Sequence, residues 1–282
     1  NYYSVRVDFM LFTRSESDAQ NISKTIDQLE SSSSTKSIHQ VNVDILDVSH
    51  NPKKIWNWIG HCTPDRLANY DYAWFIDGDI TLTSLNWQAF WQQVKLMRPK
   101  IAQASIIGKT PNGGKSTVHP ILRFNSDARV MAAEVPIVEL GSPLLEVETW
   151  VGYRDFLVRN FEVMRSIEMG GEQLFDLGWC HYAKNNLTGY QGNGGIGYMG
   201  YMPQYPSLSL NDSHNAEAGI KGRACVVFYQ TPMVHMDGDT FVRNYASSKA
   251  GHNLVEYFRQ TLGVVTKPGL KSVYQIFNAP IN

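Results

Sequence analysis

The stretch Tyr70-Asp71-Tyr72-Ala73-Trp74-Phe75-Ile76-Asp77-Gly78-Asp79-Ile80 decides the fold of this chain. Ala73 to Ile76 is a short apolar run, which predicts a buried strand. It leads straight into two carboxylates one residue apart, Asp77 and Asp79, with Gly78 between them. Both can face one hard cation when the turn bends, and a glycine at position 78 allows that bend. Mg²⁺ or Mn²⁺ takes oxygen ligands and keeps positions open for substrate phosphates. An isolated Asp-x-Asp is usually a polar surface turn. The apolar strand before this one points instead to the ligand-binding edge of an α/β sheet.

The flanking sequence alternates strand and helix patterns. Upstream, Val5 to Phe12 predicts a buried strand, and Asp18 to Glu30 a helix with Ile22, Ile26 and Leu29 at helical spacing. The run Ser31 to Ser34 reads as a loop, Val41 to Val48 as a second strand and Lys53 to Gly60 as a short helix. Downstream, Trp87 to Leu96 predicts a helix closed by Pro99, and Ile101 to Ile107 a strand. This order predicts an α/β fold, with a mixed, mostly parallel sheet flanked by helices. Further on, the pattern predicts a short strand over Val135 to Leu140 and a helix over Glu146 to Arg165. A late strand over Val226 to Phe228 ends at Gln230-Thr231-Pro232, and Asn253 to Leu262 reads as a helix. The glycine-rich stretch Gly189 to Gly200, with Tyr190, Tyr198 and Tyr201 in or near it, reads as a lid over a substrate.

Bulk composition narrows the function classes. Hydrophobic residues make up 43% and charged residues 18% of 282, which suits an ordinary folded core. A net charge of −1 gives no general attraction to nucleic acid. The three cysteines, Cys62, Cys180 and Cys225, are odd in number and widely spaced, so neither a zinc site nor a disulfide framework is expected. Sequons begin at Asn21, Asn186 and Asn211, a number that an Asn-rich chain gives by chance. No run reaches the length of a membrane span, and the start at Asn1 reads as a trimmed chain. Low cysteine use favours a cytoplasmic protein, of bacterial or large-DNA-virus type, over one trimmed from the Golgi lumen.

The block from Arg66 to Ile80 resembles the Asp-x-Asp region of the GT-A-fold, nucleotide-sugar glycosyltransferase superfamily. That resemblance implies a divalent metal, Mn²⁺ or Mg²⁺, held by Asp77 and Asp79 and bound to the diphosphate of a nucleotide-sugar donor. It also implies that Thr13 and Arg14, opening the loop after the first strand, begin the nucleotide-binding site. Asp47, after the second strand, stands where members contact base or ribose. His235, in Pro232-Met233-Val234-His235-Met236-Asp237, resembles the late histidine that completes the metal site, with Asp237 and Asp239 as nearby alternatives. The similarity runs over about residues 5 to 240. No internal repeat or linker is visible, so one domain is expected, with a nucleotide-sugar half at 1–108 and an acceptor half at 109–282.

An inverting transferase needs a carboxylate to take the proton of the acceptor hydroxyl. Asp176, in Gly170-Gly171-Glu172-Gln173-Leu174-Phe175-Asp176, best resembles that acid, with Glu172 one helical turn earlier. Glu139, in Pro136-Ile137-Val138-Glu139-Leu140, is the other candidate. Two rival functions share these features: a nucleotidyltransferase or metal-dependent phosphate-ester hydrolase, and a carbohydrate-binding protein without activity.

Overall fold

The computed structural model describes residues 7–13, 15–32, 42–48, 50, 53–109, 122–124, 130–169, 175–186, 223–236, 249–262 and 275–278. The chain divides into two compact units, Asn1–Cys62 and Thr63–Asn282. In the first, β1 (Phe9–Thr13) and β2 (Val43–Asp47) pair in parallel, from Phe9 opposite Val43 to Thr13 opposite Asp47. They are connected through α1 (Glu16–Ser32), whose first turn carries Glu16 and Asp18 where the helix dipole favours acids. The Ser15 hydroxyl accepts the Asp18 N–H at 3.1 Å, so the helix starts earlier than the apolar spacing predicts. α2 (Lys54–His61) buries Ile55, Trp58 and Ile59.

The second unit is built on a larger sheet. Its strands are β3 (Tyr72–Trp74), β4 (Ile80–Thr81), β5 (Ile101–Lys109), β6 (Val130–Glu134), β7 (Leu144–Glu146), β8 (Cys225–Met236) and β9 (Gln275–Asn278). They lie in the order β3-β7-β5-β8-β6-β9, with β4 paired to β8. Among the described residues only β5 and β8 run parallel in this sheet; the other five pairings are antiparallel. This corrects the mostly parallel sheet expected from sequence. Alternation of apolar residues reports which face is buried, and it is the same for either strand direction.

The helices are α3 (Pro64–Leu67), α4 (Trp87–Met97), α5 (Val147–Val158), α6 (Phe161–Glu168), α7 (Asp176–Asn185) and α8 (Lys249–Leu262). Phe90, Val94 and Met97 of α4 pack with Ala102, Ala104, Ala132 and Phe228 of the sheet in one buried cluster. Trp74 stacks on Phe90 at 4.8 Å between ring centres. α4 opens on Asn86, whose side chain accepts the Ala89 N–H at 3.0 Å, and closes on Arg98 in the left-handed conformation (φ 44°) just before Pro99. No described helix is long and apolar enough to cross a membrane.

Four local expectations fail for identifiable reasons. Val135 to Leu140 is buried in large part but forms no strand; Pro136 lacks an amide donor, and side chains satisfy the loop's backbone instead. The helix expected over Glu146 to Arg165 is two helices, because the Asn160 side chain accepts the Val163 N–H at 3.1 Å and starts α6 anew. The late strand does not stop at Pro232. Its register with β5 jumps from Ala104 opposite Phe228 to Ile106 opposite Met233, so Tyr229 to Pro232 bulge out and the strand continues to Met236. Proline is tolerated inside a strand at such a bulge. Finally, Cys180 and Cys225 form a disulfide, with Cα atoms 5.6 Å apart. Their separation of 45 residues said nothing of this, because the packing of α7 on β8 brings them together.

Candidate functional site

β3 precedes the acidic turn, but it is shorter and less buried than the sequence predicts: the strand is Tyr72–Trp74, half-buried, and Phe75 to Asp77 lie beyond it. The Phe75 N–H donates to Pro143 O at 2.9 Å and the Asp77 N–H to Gly141 O at 2.8 Å. The Ile80 N–H then closes the turn on Asp77 O at 3.0 Å. Asp77 is half-buried, and Gly78 and Asp79 are exposed. The bend does not use glycine's special freedom: Gly78 has no positive φ, and a Cβ added there would meet nothing within 4 Å. The corner at Gly78 is open.

The far end of β8 meets this turn. Ile80 pairs with His235 and Thr81 with Val234, and the Met236 N–H donates to Asp79 O at 2.9 Å. Across 156 residues of sequence, His235 Nε2 comes within 3.1 Å of Asp79 Oδ2. The bulge makes this possible. It shifts β8 out of the register that Cys225 to Phe228 hold, so Met233 to Met236 pair with β5 again from Ile106 onward while Val234 and His235 also pair with β4. Two hydroxyls fix it, with Ser105 Oγ donating to Tyr229 O and Ser84 Oγ to Pro232 O, each at 3.1 Å.

The donor set fits a divalent cation. Carboxylate oxygen and imidazole nitrogen both suit first-row ions. Octahedral neighbours about 2.1 Å from an ion lie roughly 3.0 Å apart, so the observed separation serves two ligands of one ion as well as a direct hydrogen bond. The Asp79 side chain is 48% exposed and that of His235 19%, which leaves one face open. Among the described residues no group of three or more His, Cys, Asp or Glu gathers around one point. Asp77 therefore shares the turn with Asp79 without joining a three-residue cluster. Two protein ligands are the usual complement where substrate phosphates complete the sphere.

A clamp beside the turn was not legible as a site in the sequence. Gln103 of β5 is fully buried and uses both ends of its amide. Its Oε1 accepts the Glu139 N–H at 3.1 Å, and its Nε2 donates to Ser142 Oγ at 3.2 Å. Ser142 O accepts Trp74 Nε1–H at 3.1 Å. The loop from Val138 to Pro143 is thus held against the strand that carries the acidic turn. The available signal was polarity: Gln103 and Ser105 interrupt the otherwise apolar run Ile101 to Ile107.

The same loop reaches α7. Trp179 Nε1–H donates to Val138 O at 2.9 Å. Asp176 is the first residue of α7 and is buried, at 9% exposure. Gly178 lets α7 approach so closely that a Cβ there would collide with the Tyr153 hydroxyl and the Phe258 ring. Burial, and after it the charge of Asp176, raises the pKa of Tyr153, whose hydroxyl donates to Phe175 O at 3.0 Å. Glu139 is half-buried. One loop therefore links the acidic turn, Glu139 and the start of α7.

In the Asn1–Cys62 unit, Thr13 and Asp47 are register partners at the carboxyl ends of parallel strands. The Thr13 hydroxyl is buried and donates to Leu46 O at 3.3 Å, whereas Asp47 is exposed. Arg14, Glu172, Asp237, Asp239 and the glycine-rich stretch Gly189 to Gly200 lie outside the described residues. A second polar group, Glu134, His181 and Lys184, lines a small cleft beside Cys180. There burial lowers the His181 pKa to about 4, with Lys184 adding to the effect. Burial raises that of Glu134 against the pull of Arg223. The chain matches no family model, no curated protein and no solved structure.

Proposed function

We propose that this chain is a metal-dependent glycosyltransferase of GT-A-like architecture. It moves a sugar from a nucleotide-sugar donor, a UDP-sugar in preference to a GDP-sugar, to a hydroxyl of a glycan or glycoconjugate. The observation that carries this reading is the 3.1 Å approach of His235 Nε2 to Asp79 Oδ2 at the end of an apolar strand. His235, to which the resemblance gives the part of the late metal ligand, supports the reading by lying beside the second aspartate of the acidic turn.

Asp79 and His235 hold Mn²⁺ or Mg²⁺ in this reading, with Asp77 at the same turn. When bound, the ion supplies charge neutralisation to a departing diphosphate. The open corner at Gly78 admits the donor. Glu139, half-buried on the loop tied to Asp77, accepts the acceptor's hydroxyl proton if the reaction inverts. Asp176, buried in the first turn of α7 where the helix dipole favours an acid, orients the acceptor side.

Product analysis tests the reading. Incubation with UDP- and GDP-sugars, MnCl₂ and a panel of glycans should release nucleoside diphosphate and form a glycoside. Asp79→Ala or EDTA should abolish this, and Glu139→Gln should slow it. Full turnover in the Asp79→Ala protein, or in EDTA, would refute it. Release of pyrophosphate instead would assign a nucleotidyltransferase.

A further inference from the structure

The Cys180–Cys225 bond and the sequons bear on one another. A disulfide forms and persists in an oxidising compartment and is rare where glutathione keeps thiols reduced. This one is internal: Cys180 is 4% exposed and Cys225 fully buried. It joins α7 to the first residue of β8. A buried bond between two core elements is a structural staple rather than a reactive pair.

Two of the three sequon asparagines are described, and both are exposed. Asn21 begins Asn21-Ile22-Ser23 on the outer side of α1, with Ser23 exposed as well. Asn186 begins Asn186-Leu187-Thr188 at the C-terminal cap of α7, six residues beyond Cys180. Its Nδ2 donates to Tyr182 O at 2.8 Å, and a substituted amide keeps one N–H for that bond. An N-glycan needs an exposed asparagine and is usual in surface loops; Asn186, at the end of α7, meets both conditions, and Asn21, within α1, meets the first.

We propose that this chain matures in an oxidising, glycosylating compartment, where Asn21, Asn186 or both accept N-linked glycans. This departs from the cytoplasmic expectation drawn from low cysteine use, and it is independent of the transferase reading. In the first step two protons and two electrons leave the Cys180 and Cys225 thiols and reduce a disulfide-bearing oxidoreductase to its dithiol. In the second, an asparagine Nδ2 bonds to the anomeric carbon of a lipid-linked oligosaccharyl pyrophosphate. The carbon–oxygen bond to pyrophosphate breaks, the lipid pyrophosphate leaves, and one amide proton passes to base.

The test uses the chain isolated from its own cells, alkylated without reduction, digested, and deglycosylated with peptide-N-glycosidase in heavy-oxygen water. The expected result is a cross-linked peptide containing Cys180 and Cys225, with heavy-oxygen aspartate at Asn21 or Asn186. Alkylated Cys180 and Cys225 overturn the proposal whatever the asparagines carry. So does an intact disulfide with Asn21 and Asn186 both unmodified, including the case in which Asn211 alone is marked. In the supporting case, the N21Q/N186Q double variant should lose the glycan-dependent mass and retain the disulfide.

Discussion

Reducing the Cys180–Cys225 bond should cost the Thr63–Asn282 unit about 4 kcal/mol. The figure follows from the 45-residue separation of the two cysteines. Closing a loop of that length removes chain entropy from the unfolded state worth about 4 kcal/mol at 25 °C. The thiols stay as small buried hydrophobes after reduction, so little packing is lost with the bond. Urea unfolding followed by the fluorescence of buried Trp150 and Trp179, with and without a phosphine reductant, measures the difference. With a slope of roughly 2 kcal/mol per molar urea, the midpoint should fall by roughly 2 M. The C180A/C225A variant should unfold near the reduced wild type and ignore the reductant. A wild-type midpoint that moves less than about 0.5 M on verified reduction would show that the bond does not restrain the unfolded chain as argued.

Other consequences are equally direct. Asp79→Asn and His235→Gln should each weaken Mn²⁺ binding on the order of tenfold or more, as read by titration calorimetry with MnCl₂ alone; unchanged affinity in both would remove the metal site. Gln103→Leu should destabilise by about 2–4 kcal/mol, because two hydrogen bonds go and the Glu139 N–H and the Ser142 hydroxyl lose their partner; a loss under about 0.5 kcal/mol would show that the clamp is idle. His181 has a folded pKa lowered to about 4, so its contribution is present above the unfolded value of 6.5 and is lost as pH falls towards 4. The loss is up to about 3 kcal/mol and should vanish in His181→Gln. Glu134 has the opposite sign: its raised pKa favours the fold at low pH, and that contribution is lost as pH rises through the raised value. Unfolding curves from pH 4 to 8 in the Glu134→Gln background isolate the histidine.

The clamp and the bulge give the site its rigidity. Gln103 ties Glu139 and Ser142 to β5, and Gly141 ties the acidic turn to the same loop. Ser84 and Ser105 hold the bulged carbonyls of β8. Functional groups held by buried hydrogen bonds keep their geometry when a ligand arrives, which is the condition for electrostatic preorganisation.

Local pattern was enough for part of the local structure. A strand shortly before Asp77, the helix from Trp87 to its stop before Pro99, and the alternation of strand and helix near the start are readable, because periodicity and chain breakers act over a few residues. Single residues that redirect the chain were harder. Asn160 splits a helix by capping the second half, and Pro136 leaves a buried apolar stretch without strand pairing. Strand direction, the meeting of Asp79 with His235, the Gln103 clamp and the Cys180–Cys225 bond were decided only in three dimensions. Each depends on which strands become neighbours and where one of them bulges. Those choices are settled by burying whole faces against one another, an energy that belongs to the assembled core and to no window of sequence.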